Sequence, residues 1–300
     1  EVTARGQGGL GDVIIHPDFA SNNTVYVSYV ERDPEDDAYS GAVIERATLS
    51  ITNNGASLSD REIIWRQSPK ITGNGHYSHR MVFSPDGYLF ITSGERQKFT
   101  PSQNMAMNLG KILRLNEDGS VPQDNPFYDN GGVTAQIWTL GHRNPLGIDF
   151  DAQGNLWAHE MGPRHGDELN IIERARNYGY PMVSQGDHYS GVKIPNHEDY
   201  PIFKAPELAW VPAISPAGFI IYQGDLHSGW TGNGFIGGLS SKALIRVTYG
   251  KNEKDEWDVQ EAERYEWGER VREVEQDSEG NIYVLEDGDS GRLIKVHKSG

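Results

Sequence analysis

Ser84-Pro85-Asp86-Gly87-Tyr88-Leu89-Phe90-Ile91 is a tight turn feeding a run of aromatic and branched side chains. Proline and aspartate suit the early positions of a turn, glycine accepts the positive φ that closes it, and the run that follows suits a pleated strand. The pattern recurs at His16-Pro17-Asp18-Phe19 before Thr24-Val25-Tyr26-Val27, and at Asp151-Ala152-Gln153-Gly154 before Asn155-Leu156-Trp157-Ala158. It returns at Ser215-Pro216-Ala217-Gly218 before Phe219-Ile220-Ile221-Tyr222, and at Asp277-Ser278-Glu279-Gly280 before Asn281-Ile282-Tyr283-Val284. From Phe19 through Gly87, Gly154 and Gly218 to Gly280 the steps are 68, 67, 64 and 62 residues. Each unit carries a hairpin signature.

A near-constant period marks a repeat architecture, and all-β repeats of four strands each make propellers. The period exceeds the usual blade length of roughly 40 to 50 residues. The surplus is assigned to loops, which on a rigid scaffold commonly carry function. A β-sandwich would not explain an even spacing over most of the chain. Helix is scarce, with a short one expected around Asp167 to Ala175 and another turn or two at Met105 to Ile112. The expectation is a single all-β propeller domain over residues 1–300 with long functional loops.

Composition narrows the function classes. The 300 residues include 35 Gly and 15 Pro, punctuation that favours short strands and turns. With 27 Lys+Arg against 43 Asp+Glu, the formal charge of −16 argues against nucleic acid or an anionic membrane as the main partner. No cysteine is present, so disulfides and thiol catalysis are excluded while the compartment stays open. No apolar run approaches the roughly 18 residues of a membrane span, and no membrane insertion is expected. The start at Glu1, without Met and almost directly before a motif, reads as a processed or trimmed beginning with part of the N-terminal portion out of view.

Several segments carry chemistry. Gly162-Pro163-Arg164-His165-Gly166-Asp167-Glu168-Leu169-Asn170, followed by Asn177-Tyr178-Gly179-Tyr180-Pro181, offers backbone carbonyls at a Gly-Pro corner and two acidic side chains. That oxygen-rich set suits Ca²⁺, although the alternating pattern of an EF-hand is missing and an ion that only braces the loop fits equally. Gly141-His142-Arg143-Asn144-Pro145 places a fixed cation beside an amide, suited to an anionic organic group. In Gly73-Asn74-Gly75-His76-Tyr77-Ser78-His79-Arg80 the glycines allow close approach of a ligand and His76 has the titration range of a general base. On residue type alone, an ordinary surface loop with two histidines is the better reading of that segment.

Arg270 and Arg272 in Glu269-Arg270-Val271-Arg272-Glu273 project from one face of an extended strand and suit carboxylates or phosphates. A solvated strand neutralised by its flanking glutamates is an equal reading. Gln7 lies in Gly6-Gln7-Gly8-Gly9-Leu10-Gly11-Asp12, which lacks the strand-before, helix-after context of a dinucleotide loop. Zinc is disfavoured by the absence of cysteine and of an HExxH pair, and a serine hydrolase by the absence of a G-x-S-x-G elbow.

Taken in order, these segments resemble the soluble quinoprotein sugar dehydrogenases, and most closely the aldose sugar dehydrogenase branch. The matching stretches are Gly6 to Phe19, Gly75 to Gly87, Leu109 to Phe127, Gly141 to Gly147, Glu160 to Pro181, Tyr189 to Pro195, Phe235 to Leu239 and Arg270 to Leu285. They are collinear and span nearly the whole chain.

The resemblance implies a six-bladed β-propeller that binds pyrroloquinoline quinone (PQQ) and Ca²⁺ and oxidises aldose sugars at the anomeric carbon to lactones. It also implies delivery of electrons to an external acceptor and a periplasmic or secreted location. By motif, His76 looks like the general base, and Arg143, Asn144, Arg270 and Arg272, with Gln7 beside them, look like the cofactor-binding set. The carbonyls of Gly162 and Pro163 look like ligands of a catalytic calcium, and Glu168 and Tyr178 like ligands of a second, structural one.

Two positions depart from the family pattern. Ser240 stands where relatives have a lysine, with Lys242 two residues further along, and Gly75 stands where glucose-preferring relatives carry an aspartate. A calcium-dependent propeller lactonase and a non-catalytic sugar-binding propeller are the competing readings. The paired arginines favour the quinone over the lactonase, because a neutral lactone needs no cationic ring; Ser240 is the best argument for the binding protein.

Overall fold

The computed structural model describes residues 1–296. Its strands form five sheets. Two compact units contain them: the first comprises Glu1–Pro145 with Glu173–Pro181, the second Leu146–Ile172 and the chain from Met182 onward.

In the first unit, one sheet runs β1 (Leu10–Ile15), β2 (Thr24–Arg32), β3 (Tyr39–Thr52) and β4 (Gly55–Arg66), with the short β5 (Ile71–Thr72) paired to β3. The other runs β6 (Ser78–Phe83), β7 (Leu89–Ser93), β8 (Lys111–Leu115) and β9 (Ile137–Leu140). Tyr26, Ile44, Trp65, Met81, Leu89, Ile91, Leu113 and Ile137 join these sheets in one buried core.

The second unit holds β10 (Pro145–Phe150), β11 (Leu156–Glu160), β12 (Asp167–Ile171) and β13 (Leu208–Trp210) in one sheet. A second sheet contains β14 (Pro216–Ile221), β15 (Gly234–Gly238), β16 (Ala243–Lys251) and β17 (Trp257–Glu266), and a third β18 (Val271–Gln276), β19 (Ile282–Glu286) and β20 (Leu293–Val296). Trp157, Leu169, Trp210, Phe219 and Ile245 fill one core, and Ile220, Phe235, Val271, Val274 and Val284 another. Each such side chain contributes roughly 1.5–3 kcal/mol by leaving water.

The propeller class agrees with the sequence reading, but the blade count does not. The described residues build a five-bladed propeller, not six. Each turn-marked repeat supplies one sheet, and the surplus between repeats is spent on loops. The 36 residues between β12 and β13, for example, contain only one 3₁₀ turn, His197–Asp199. No four-strand set remains for a sixth blade among the described residues.

Both expected helices are also absent. Asp167–Ile171 is β12, buried along its whole length and paired with β11 on one side and β13 on the other. Ladder partners on both edges override the local preference. Residues 105–110 are turns leading into β8.

Four of the five turns join a first strand to a second, but Ser215-Pro216-Ala217-Gly218 runs into β14 itself. Gly218 is needed there for close approach: a Cβ would lie 2.2 Å from Glu273 Oε1 and 2.5 Å from its Cα. Among the described residues no helix is long and apolar enough to cross a membrane.

Candidate functional site

His76 sits in the loop between β5 and β6, and Glu95 just past the end of β7. The β6–β7 hairpin pairs Ser78 with Ser93 after a register shift that begins at Met81. Continuing the antiparallel register two residues outward puts position 76 opposite 95, and His76 Nδ1 lies 2.6 Å from Glu95 Oε1. Both side chains are buried. Glu95 Oε2 accepts the backbone N–H groups of Lys98 and of Phe99, the latter at 2.6 Å.

Burial works against the Glu95 carboxylate, but the His76 contact and those N–H groups outweigh it and hold its pKa below the usual carboxylate range. An ionised Glu95 only accepts, so Nδ1 carries the proton and Nε2 keeps its lone pair. Burial pushes the imidazole's pKa below 6.5; the Glu95 contact opposes this, and the charges of Arg143 and Arg96 reinforce it. The ring is therefore neutral at neutral pH with its base atom directed away from Glu95.

The residues around this pair tie the loop down. The His76 backbone N–H donates to Gln7 Oε1 at 2.7 Å, and the Gln7 N–H donates to Asn74 O at 2.7 Å. Gly6 is required at that contact, where φ is +60° and a Cβ would lie 2.4 Å from Asn74 O. Ser78 Oγ donates to Asn144 Oδ1 at 3.0 Å, and the Glu95 N–H donates to Arg143 O at 2.9 Å. The Arg143 guanidinium lies 5.9 Å from the Tyr180 ring centre. The first unit thus gathers Gln7, His76, Arg143 and Asn144 around one loop. Tyr178 stacks on His142 at 4.7 Å, and its hydroxyl accepts the Glu173 N–H at 2.9 Å.

In the second unit, Gly162 and Pro163 lie in the loop between β11 and β12. The Gly162 N–H donates to Asp167 Oδ1 at 2.9 Å, while Asp167 Oδ2 accepts from Ile214 and Ser215 N–H at 2.8 and 2.7 Å. A Cβ on Gly162 would lie 2.2 Å from Gly166 O and 2.3 Å from His165 O, so the loop packs carbonyls tightly.

Glu168 stands directly opposite Glu160 in the β11–β12 ladder, and both are buried. Like charges in that position repel. Burial first, then the charge of Glu160, pushes the Glu168 carboxyl well above its ordinary range. Asn170 Oδ1, two residues along the same strand, is buried without a hydrogen-bond donor. A carboxyl pair and an orphaned amide oxygen beside a carbonyl-rich loop form a donor set that fits a hard divalent cation. No group of three or more His, Asp or Glu side chains among the described residues could hold a metal ion, so carbonyls would have to complete the shell.

Arg270 and Arg272 both donate to Asp287 Oδ2, at 2.7 and 3.0 Å. Two guanidiniums share one carboxylate and are each nearly half exposed, which leaves positive charge available to an anion. Lys242 Nζ donates to Gly268 O at 3.2 Å and lies 3.9 Å from Glu269, while Ser240 Oγ donates to Ala213 O at 3.4 Å.

Sequence reasoning missed Glu95, Glu160 and Asp287. Each partners a selected residue across a strand pair, and only the register reveals it.

The family described as Glucose / Sorbosone dehydrogenase matches residues 1–295. Aldose sugar dehydrogenase YliI of Escherichia coli (strain K12) is 36% identical over 299 residues, 99% of this chain and 79% of the relative. A crystal structure of the soluble aldose sugar dehydrogenase from Escherichia coli in the apo-form superposes with a TM-score of 0.90 at 37% identity, covering 98% of this chain and 84% of that one. The PQQ-bound form of the aldose sugar dehydrogenase from Streptomyces coelicolor superposes with a TM-score of 0.75 at 26% identity, covering 98% and 81%.

Proposed function

The chain belongs to the Glucose / Sorbosone dehydrogenase family, and from that premise we propose that it is a quinoprotein oxidoreductase converting aldose sugars to lactones, with His76 as general base. The relative from Streptomyces coelicolor that binds PQQ and the aldose sugar dehydrogenase of Escherichia coli support the cofactor and the substrate class. When bound, the quinone supplies the two-electron acceptor, and a calcium ion beside it supplies Lewis acidity. The cationic Arg143 and the Arg270–Arg272 pair are suited to its carboxylates, and the carbonyls of Gly162 and Pro163 to the ion. Glu168, with Glu160 opposite, is suited to a second calcium.

The contact that carries the reading is His76 Nδ1 to Glu95 Oε1 at 2.6 Å. It fixes the tautomer, and it stabilises the positive charge that appears on the ring when Nε2 takes the proton of the anomeric hydroxyl. A positioned base of this kind contributes roughly 10²–10⁴-fold. Gln7 and Asn144 keep the loop in place while the proton moves, and Arg143 disfavours protonation of the ring before substrate arrives. Electrons pass afterwards to an external acceptor, and the proposed location is periplasmic or secreted.

The test is reconstitution of the protein with PQQ and Ca²⁺, followed by dye-linked oxidation of a panel of aldoses. Activity should need both additions. His76→Ala should lower turnover by roughly 10²–10⁴-fold while leaving the quinone dissociation constant largely unchanged; turnover at the wild-type rate would remove His76 as the base.

A further inference from the structure

Arg96 follows Glu95 directly and is 1% exposed, yet none of the bonds made by its guanidinium goes to a carboxylate. Nε donates to Gly75 O at 3.0 Å, and one terminal nitrogen donates to Gly73 O at 2.6 Å and Ser40 Oγ at 3.3 Å. The other donates to Ser40 O at 2.6 Å and Gln67 Oε1 at 3.5 Å. All five donors of the fork are used. The guanidinium carbon lies 3.7 Å over the Tyr77 ring, whose hydroxyl is 2.7 Å from Ser40 Oγ. The Arg96 backbone N–H donates to His76 O at 3.2 Å. One residue therefore holds the carbonyls of positions 73, 75 and 76.

That loop needs holding. His76, Ser78 and His79 have φ of 49°, 58° and 61°, and Arg96 and Gln97 have φ of 62° and 60°. The left-handed region is unfavourable for residues with a Cβ and persists only where surroundings impose it. A buried cation that hydrogen-bonds no carboxylate is costly even with the Glu95 charge nearby, so its bonds to the loop are what the burial secures. Glu95 grips the imidazole and Arg96 grips the main chain that carries it.

We propose that Arg96 is a positioning residue for His76, fixing the left-handed loop that aims Nε2 at the substrate. The inference rests on the reading of His76 as the base. It predicts a loss in kcat rather than in sugar binding, because a misplacement of about 1 Å can cost 10²-fold in rate.

The experiment uses protein reconstituted with PQQ and Ca²⁺, with D-glucose and D-xylose as probes. Arg96→Met should lower kcat by ~100-fold with KM changed less than ~3-fold. Introduced into His76→Ala, it should cause no further loss in the residual single-turnover rate, since a contact acting only through the imidazole has nothing left to act on. The charged groups facing His76 are Glu95, Arg143 and Arg96 itself. Removing Arg96's charge should therefore move the acid limb of the kcat/KM profile to higher pH.

Arg96→Lys keeps the charge but offers one nitrogen. It should lower kcat by ~10-fold without moving that limb, and it carries the test if Arg96→Met does not fold. Unchanged kcat in the folded variant, or an equal loss with and without His76, overturns the proposal. Wild-type turnover by His76→Ala would instead sink the base assignment on which it rests.

Discussion

Replacing Glu95 by glutamine tests the proposed chemistry with little change of shape. The glutamate uses one oxygen for His76 Nδ1 and the other for the backbone N–H groups of Lys98 and Phe99. A glutamine has only one acceptor oxygen. If it faces the two N–H groups, the NH₂ faces Nδ1, which must then accept, and the ring proton moves to Nε2. The base atom is lost.

Turning the amide round restores the tautomer but presents the NH₂ to two part-buried donors; the Lys98 N–H keeps the Glu95 carbonyl at 3.3 Å, so the loss falls on the Phe99 N–H, at about 1–3 kcal/mol. The wrong tautomer is therefore favoured by about 1–3 kcal/mol, or roughly 5-fold to 150-fold at 1.4 kcal/mol per decade. The competent minority sets the rate, so kcat should fall by roughly 5-fold to 150-fold, inside the ceiling of roughly 10²–10⁴ that a general base is worth, with the sugar KM and the quinone affinity nearly unchanged. The assay is steady-state dye reduction by the reconstituted protein at saturating sugar between pH 6 and 9. A kcat within ~3-fold of wild type across that range would refute the tautomer argument and, with it, the assignment of Nε2 as the proton acceptor.

Two further tests address metal and pH. Adding Ca²⁺ to EDTA-treated protein should raise the unfolding temperature, by the equivalent of about 2.7 kcal/mol at a hundredfold excess over Kd. Glu160→Gln with Glu168→Gln should remove the second ion's share of that rise, and a rise unchanged in scanning calorimetry would place the second ion elsewhere. His79 is wholly buried beside Ser28 Oγ at 2.7 Å, and burial, reinforced by the charges of Arg80 and Arg96, lowers its pKa from 6.5 to about 3. The folded chain then keeps His79 neutral while the unfolded chain takes up a proton below about pH 6.5. Stability is present above that value and is lost as pH falls, by about 1.4 kcal/mol per unit until the folded group titrates. In guanidinium titrations between pH 5.5 and 4, His79→Gln should flatten the dependence by about that slope; identical slopes would mean that His79 is charged in the fold.

The sequence by itself determined the class of fold and where the loops fall. Turn chemistry such as Asp277-Ser278-Glu279-Gly280 is local, and Asp277 Oδ1 does accept the Glu279 and Asn281 N–H groups that close the turn. Period and strand composition are also local, so the propeller was legible. The chemistry-bearing residues were legible as types: His76 between glycines, paired arginines at 270 and 272, and an oxygen-rich run at 162–170. The count of blades was not, because a count needs to know how much of each repeat is loop, and the helix expected at Asp167 gave way to pairing on both edges of β12.

The partners were decided by tertiary structure alone. Glu95 is 19 positions from His76, Asp287 17 from Arg270 and Glu160 8 from Glu168, separations that carry no periodic signal. They meet because antiparallel registers, one shifted within β6 and one within β18, set opposite each other residues that are unrelated along the chain. Residue type is written position by position. Protonation state, charge balance and aim depend on what stands across the ladder, and only the packed sheets specify that.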